Sequence, residues 1–198
     1  SEPVTQKTLK LQALRGEQIS FQICTKITQT DCVTPVSVQI AGGEELSVRL
    51  RRVGCVPVPH FNTVTPEDEL DGVGHLPGYV PDILFDEGCA QVAPNEVQAF
   101  WVTIKVPAAG APETPVRLEI AVTLGDVTRK LSVSLQVLPY ALQPRQNFPV
   151  TQWFYTDSLC DWYKADPWTK PLWSLLKGYF DCYVGHGFDT LLTPLFTP

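Results

Sequence analysis

RLEIAVTLGDVTRKLSVSLQV, residues 117–137, reads in twos. Leu118, Ile120, Val122 and Leu124 alternate with Arg117, Glu119, Ala121 and Thr123. Leu131, Val133, Leu135 and Val137 alternate with Ser132, Ser134 and Gln136. Side chains alternate across a strand, so each run has one buried and one wet face. Gly125-Asp126 between the runs suits a tight hairpin, because glycine accepts a positive φ. The pattern recurs upstream. In AFWVTIKV, Phe100, Val102, Ile104 and Val106 share a face, and QISFQI, VSVQI and LSVRL add three more runs, with Gly42-Gly43 turning between the last two. KLQAL, ahead of Arg15-Gly16-Glu17, opens the set. About seven half-wet strands separated by turn signals predict an antiparallel β-sandwich over residues 1–142.

Residues 56–96 break this rhythm. Pro57, Pro59, Pro66, Pro77, Pro81 and Pro94 punctuate them. Proline removes a ladder donor, so no central strand is expected there. The stretch reads as a long irregular loop, either a stiff wrap over one end of the sandwich or a ligand loop.

After LPYALQPR the pattern changes. PVTQWFY, residues 149–155, predicts a strand. Leu172, Leu175, Leu176, Tyr179, Phe180, Tyr183 and Val184 then fall at helical spacing on one face of residues 171–184. Pro171 suits the first turn, Thr169 a cap, and Gly185-His186-Gly187 the end of the helix, with His186 favoured there by the helix dipole. FDTLLTPLF, residues 188–196, predicts a second strand. Strand, helix, strand at this spacing is a βαβ unit with parallel strands. Such strands are normally buried on both faces within sheets of several strands. Residues 143–198 are therefore expected to be the opening βαβ segment of a larger α/β barrel domain whose remainder is absent from this sequence. The fold class expected is mainly β, an antiparallel β-sandwich followed by the first βαβ unit of a truncated (β/α)8 barrel.

Composition narrows the functional classes. The 198 residues are 44% hydrophobic, enough for a core, and carry a formal charge of -6. That charge argues against a nucleic-acid partner or an anionic membrane surface, since both need clustered cations. The Arg51-Arg52 pair reads as a solvated edge. No apolar run reaches the ~18 residues of a membrane span, and no leader pattern is visible. Cys24, Cys32, Cys55, Cys89, Cys160 and Cys182 are scattered, and His60, His75 and His186 are not paired with them. Metal sites need close pairs, so no metal and no cofactor is expected. The cysteines read as buried free thiols of a reducing compartment, which places the protein in the cytoplasm. G-x-S-x-G, P-loop and G-x-G-x-x-G patterns do not occur, which leaves hydrolase-elbow and nucleotide readings without support.

The chemistry-bearing stretch is WFYTDSLCDWY, residues 153–163. Ligands of parallel α/β domains bind at the carboxyl ends of strands. Trp153, Tyr155 and Asp157 fall at that end of the first strand, in a loop that also holds Asp161, Trp162 and Tyr163. Thr193 and Thr197 fall near the corresponding end of the second. Aromatic faces cover the C–H faces of sugars and carboxylates take the hydroxyls, so these residues are candidate substrate-binding groups for a carbohydrate. The opposing reading packs Trp162, Trp168 and Trp173 between helix and sheet. A glycosidase needs two carboxyl groups flanking one bond, and Asp157 and Asp161 qualify by chemistry alone.

At these residues the sequence resembles a known family. TQWFYTDSLCDWY, followed by LLKGYFDCYVGHGFDTLLTPLFTP, is similar to the start of the DUF4091 domain, the barrel portion of proteins related to glycoside hydrolase family 123. The matching positions are Trp153, Phe154, Asp157, Leu159 and Tyr163, then His186, Gly187 and the closing LLTPLFTP. RGEQISFQI, LPGYVPDIL and VQAFWVTIKVP resemble the family's N-terminal sandwich. The resemblance implies a sandwich followed by a TIM-like barrel that acts on glycosides, N-acetylhexosaminides among them. It also implies an Asp-Glu catalytic pair farther into the barrel than Pro198, so no catalytic residue is assigned here and this fragment alone is expected to be inactive. Its partners would be carbohydrate and the remainder of its own barrel. A noncatalytic carbohydrate-binding or scaffold sandwich is the alternative; barrel carboxylates in a longer natural chain would separate the two.

Overall fold

The computed structural model describes residues 7–28, 31–60, 66, 77–113, 115–143, 145 and 147–193. The chain divides into two compact units, Ser1–Gln143 and Pro144–Pro198.

The first unit contains β1 (Thr8–Arg15), β2 (Gln18–Lys26), β3 (Thr34–Ala41), β4 (Ser47–Val58), β5 (Gly78–Phe85), β6 (Cys89–Val92), β7 (Val97–Lys105), β8 (Val116–Leu124) and β9 (Val127–Ala141). They form one sheet in the order β1-β9-β8-β3-β6 and another in the order β2-β7-β4-β5. The inward phases of both sheets build one core, centred on Phe100, Val102, Ile104, Leu118 and Leu135, none of which exposes any surface. Burying each of these side chains stabilises the fold by about 1.5–3 kcal/mol. The hairpin at Gly125-Asp126 forms, with β8 and β9 antiparallel from Val116↔Leu135 to Leu124↔Val127.

Two expectations for this unit are corrected. The sandwich is not purely antiparallel: β1 runs parallel to β9, from Thr8↔Ser132 onward. Alternation in KLQAL fixes which face is buried but not which neighbour the strand takes. The proline-rich stretch is also not all loop, since it holds the end of β4, all of β5 and β6. The proline rule survives in a narrower form. β4 pairs with β7 over Ser47–Arg52 and with β5 over Arg52–Val58. Pro57 therefore lies where β4 has one neighbour, and Pro81 lies on the edge strand β5. The remainder of the stretch, residues 61–65 and 67–76, lies outside the described residues.

The second unit contains β10 (Thr151–Trp153), α1 (Thr156–Tyr163), α2 (Lys170–Gly185) and β11 (Thr190–Leu192). β10 and β11 are parallel, in the register Thr151↔Thr190 to Trp153↔Leu192. The Phe154 N–H donates to the Leu192 carbonyl at 3.0 Å and extends the ladder by one bond. A small core joins Phe154, Leu159, Leu172 and Leu176, with Tyr179, Phe180, Tyr183 and Leu191 packed around it. The ring of Phe154 lies 5.6 Å from those of Phe180 and Tyr183. The helix expected over 171–184 is present as α2, with Pro171 in its first turn and His186 as its C-cap. Thr169 takes the N-cap position, but its hydroxyl donates to the Asp166 carbonyl at 2.7 Å instead of capping a helix amide.

Candidate functional site

Phe154 decides which way its neighbours face. It is buried against α2, so alternation turns Trp153 and Tyr155 to the opposite side of the two-stranded sheet. Both are open to solvent, at 62% and 48%. Their rings stack at 6.2 Å with 28° between planes. Leu192 is the register partner of Trp153 and is also exposed. Leu191 faces the helices, so Leu192 occupies the Trp153 phase, while Thr193 follows β11 as an exposed residue. Thr197 lies outside the described residues. The result is an apolar shelf at the carboxyl end of the parallel pair, the end where α/β folds bind ligands.

Asp157 follows Tyr155 by two residues, but not in a loop as expected. WFYTDSLCDWY forms helix α1, and Asp157 lies in its first turn. A carboxylate is favoured there by the unpaired amides and dipole of the helix N-terminus. The residue is half-buried, and its Oδ1 is fully buried with no hydrogen-bond partner among the described residues. A buried oxygen without a donor is costly. Asp161 is exposed one helical turn later. The helix escaped the sequence reading because it is eight residues long and buries only Thr156 and Leu159, too few positions to establish a period.

The other tryptophans of this unit are not packed between helix and sheet. Trp162, Trp168 and Trp173 are 80%, 58% and 52% exposed. Trp168 holds φ at 63°, rare for a residue with a bulky side chain. A local interaction accounts for the pair. Trp168 precedes the N-cap Thr169 and Trp173 is the fourth helical residue, so their rings, 6.1 Å apart, form a hydrophobic staple. Tyr163 and Tyr179 meet hydroxyl to hydroxyl at 3.1 Å, joining α1 to α2.

Among the described residues no group of three or more histidine, cysteine or acidic side chains is arranged to hold a metal ion, and no helix is long and apolar enough to cross a membrane. The cysteines differ from expectation. Cys24, Cys55, Cys89 and Cys182 are exposed and Cys160 is half-buried. Cys24 follows the inward Ile23 on β2, so strand phase turns it outward.

No protein-family model and no curated protein matches the sequence. Among solved structures, a family 123 glycoside hydrolase from Clostridium perfringens, studied for glycolipid glycan hydrolysis, superposes with a TM-score of 0.72 at 16% identity. The match covers 95% of this chain and 33% of that enzyme, so the chain spans about a third of its length. The Pseudomonas aeruginosa chaperone CupB2 gives a TM-score of 0.33 at 10% identity, over 67% of this chain and 54% of its own. The periplasmic chaperone SfaE gives 0.34 at 7%, over 74% and 64%. The chain thus shares the fold of one part of a family 123 glycoside hydrolase.

Proposed function

We propose that this chain is the N-terminal part of a glycoside hydrolase, in which Pro144–Pro198 opens a barrel completed by further polypeptide. The supporting observation is the shelf of Trp153 and Tyr155 at the carboxyl end of two parallel strands, within a fold shared with a carbohydrate-cleaving enzyme. Aromatic rings exposed on the strand face turned away from the helices suit the apolar faces of sugar rings. The half-buried carboxylate of Asp157 is an acceptor for sugar hydroxyls. Asp157 is not assigned as acid, base or nucleophile. The catalytic carboxylates are proposed to lie in the remaining barrel, and the resemblance to DUF4091 and family 123 supports N-acetylhexosaminides as the first substrates to try. Among the described residues β10 and β11 pair only with each other, and the proposed barrel would supply their outer neighbours and cover the exposed Trp162. The cytoplasm is the compartment proposed.

The intact mass of the natural protein and its activity on chromogenic N-acetylhexosaminides and neutral hexosides test this reading. A chain extending well beyond Pro198 that releases chromophore supports it. A natural chain of this length that binds sugars without cleaving them overturns it in favour of a noncatalytic binding module.

A further inference from the structure

The solvent face of β2, β7 and β4 carries a second aromatic position, far in sequence from the shelf. Phe100 and Val102 are wholly buried, so Trp101 between them projects outward. It is half-buried, although it lies on the wet side of the sheet. Its register partners are Gln22 on β2 and Arg51 on β4. Directly opposed residues on neighbouring strands hold their Cβ atoms about 4.5–5.5 Å apart, so the three side chains form one row. Along β7 the row is flanked by the small residues Ala99 and Thr103.

Arg51 is not the solvated residue its sequence context suggested. It is half-buried, and one terminal nitrogen donates to the Thr103 hydroxyl at 3.1 Å. That hydroxyl lies 3.2 Å from the hydroxyl of Ser20. The Arg51 Nε is buried, and among the described residues it has no hydrogen-bond partner. The neighbouring cations are already matched. Arg49 holds both oxygens of Asp86, at 2.8 and 2.6 Å, and Arg52 pairs with Glu87 at 2.7 Å while stacking on Phe85. Asp86 feels the charge of Arg51, but Arg49 engages both its oxygens. Among the described residues no carboxylate hydrogen-bonds to Arg51, on a protein whose net charge is -6.

We propose that this face binds a carboxylated sugar ring. Trp101 provides the platform for the C–H face, Arg51 receives the carboxylate, and the Gln22 amide takes a hydroxyl. The ring supplies apolar contact and the guanidinium fork matches a carboxylate in both geometry and charge. A neutral sugar would leave Arg51 unmatched. The site lies wholly within the sandwich and does not depend on the barrel.

Calorimetric titration of the 198-residue chain with digalacturonate, 3′-sialyllactose and lactose tests the proposal. At least one acidic probe should bind, at least tenfold more tightly than lactose, and the one that does identifies a uronic or a sialic acid as the source of the carboxylate. Arg51→Met should weaken that binding about ten- to hundredfold, the range for a hydrogen bond to a charged group. Trp101→Leu should weaken it to a similar degree. If Trp101→Leu fails to fold, Gln22→Ala at an exposed position should weaken binding severalfold. Absence of binding by both acidic probes up to about 10 mM overturns the proposal. So does equal binding of lactose, or an unchanged affinity in Arg51→Met; the row would then be an ordinary solvated sheet face.

Discussion

Arg145 donates to Asp189 across 2.8 Å and, with the same nitrogen, to the Gly187 carbonyl at 2.6 Å. The other Asp189 oxygen accepts the Val150 amide at 2.9 Å. β10 starts one residue after Val150 and β11 one residue after Asp189, so this cluster fastens the two parallel strands at their amino ends. Trp153 and Leu192 stand at the opposite ends. Fastening and the proposed binding are thus separated along the strands, and substitutions at one end should not touch the other.

The Asp189 carboxyl is held below the usual carboxylate range, first by the Val150 amide and then by Arg145 and Thr190, against a counter-pull from desolvation. A lowered folded-state value stabilises the fold above the ordinary aspartate value of about 3.9. That contribution should disappear as pH falls from about 4 through the lower folded value. Asp189→Asn should therefore melt below the wild type at pH 7, with the gap closing as pH falls through the lowered folded value. A gap independent of pH would mean that the loss comes from packing and not from charge.

Two glycines separate backbone strain from collision. Gly42 and Gly110 both hold positive φ, at 84° and 67°. A Cβ on Gly42 would lie 2.6 Å from the Arg117 carbonyl oxygen, whereas one on Gly110 meets nothing within 4 Å. Gly110→Ala should cost about 1–2 kcal/mol, the left-handed penalty alone. Gly42→Ala should cost about 1–3 kcal/mol more, because a paired β8 backbone has to move. Urea unfolding of both variants checks the difference; equal losses would remove the collision argument.

The parts of this fold that could be read from the sequence are those set by side-chain phase. Leu118, Ile120 and Val122, or Phe100, Val102 and Ile104, declare their buried face by alternation, and all six are buried. Partner choice leaves no such trace, so the parallel pairing of β1 with β9 was invisible. β5 was hidden because it lies at a sheet edge with apolar residues exposed on both faces, Tyr79 and Val80 among them, and so lacks a period of two. The outward exposure of Trp153 and Tyr155 is legible because they flank Phe154 on a strand, which needs no tertiary information. Leu192 was passed over in favour of Thr193, because the register that sets it opposite Trp153 is a tertiary fact. The outward phase of Cys24 follows from the inward alternation of Ile19, Phe21 and Ile23.

Thiol exposure gives a direct check on these phases. Brief alkylation of the native protein, followed by peptide mass mapping, should modify Cys24, Cys55, Cys89 and Cys182 well before Cys160, which packs beside Phe154 and Leu172. Reactivity follows access when thiolate character is similar. Early modification of Cys160 would show that α1 opens readily from the small core.

The last test concerns Asp157 and Trp153 in the complete enzyme proposed above. Asp157 sits in the first turn of α1, two residues after Tyr155 of the stacked Trp153–Tyr155 pair, with one buried oxygen that has no partner among the described residues. If that oxygen accepts a substrate hydroxyl, Asp157→Asn removes a hydrogen bond to a charged group, worth about 1.5–3 kcal/mol. The specificity constant should fall roughly ten- to a hundredfold. Trp153→Ala should act mainly on KM, because a sugar platform binds ground state and transition state alike. Neither change should greatly shift the melting temperature, since Trp153 is mostly solvated and the Asp157 oxygen has no partner to lose among the described residues. A fully active Asp157→Asn variant, or one that is inactive because it no longer folds, would make Asp157 part of the helix start and not of the binding site.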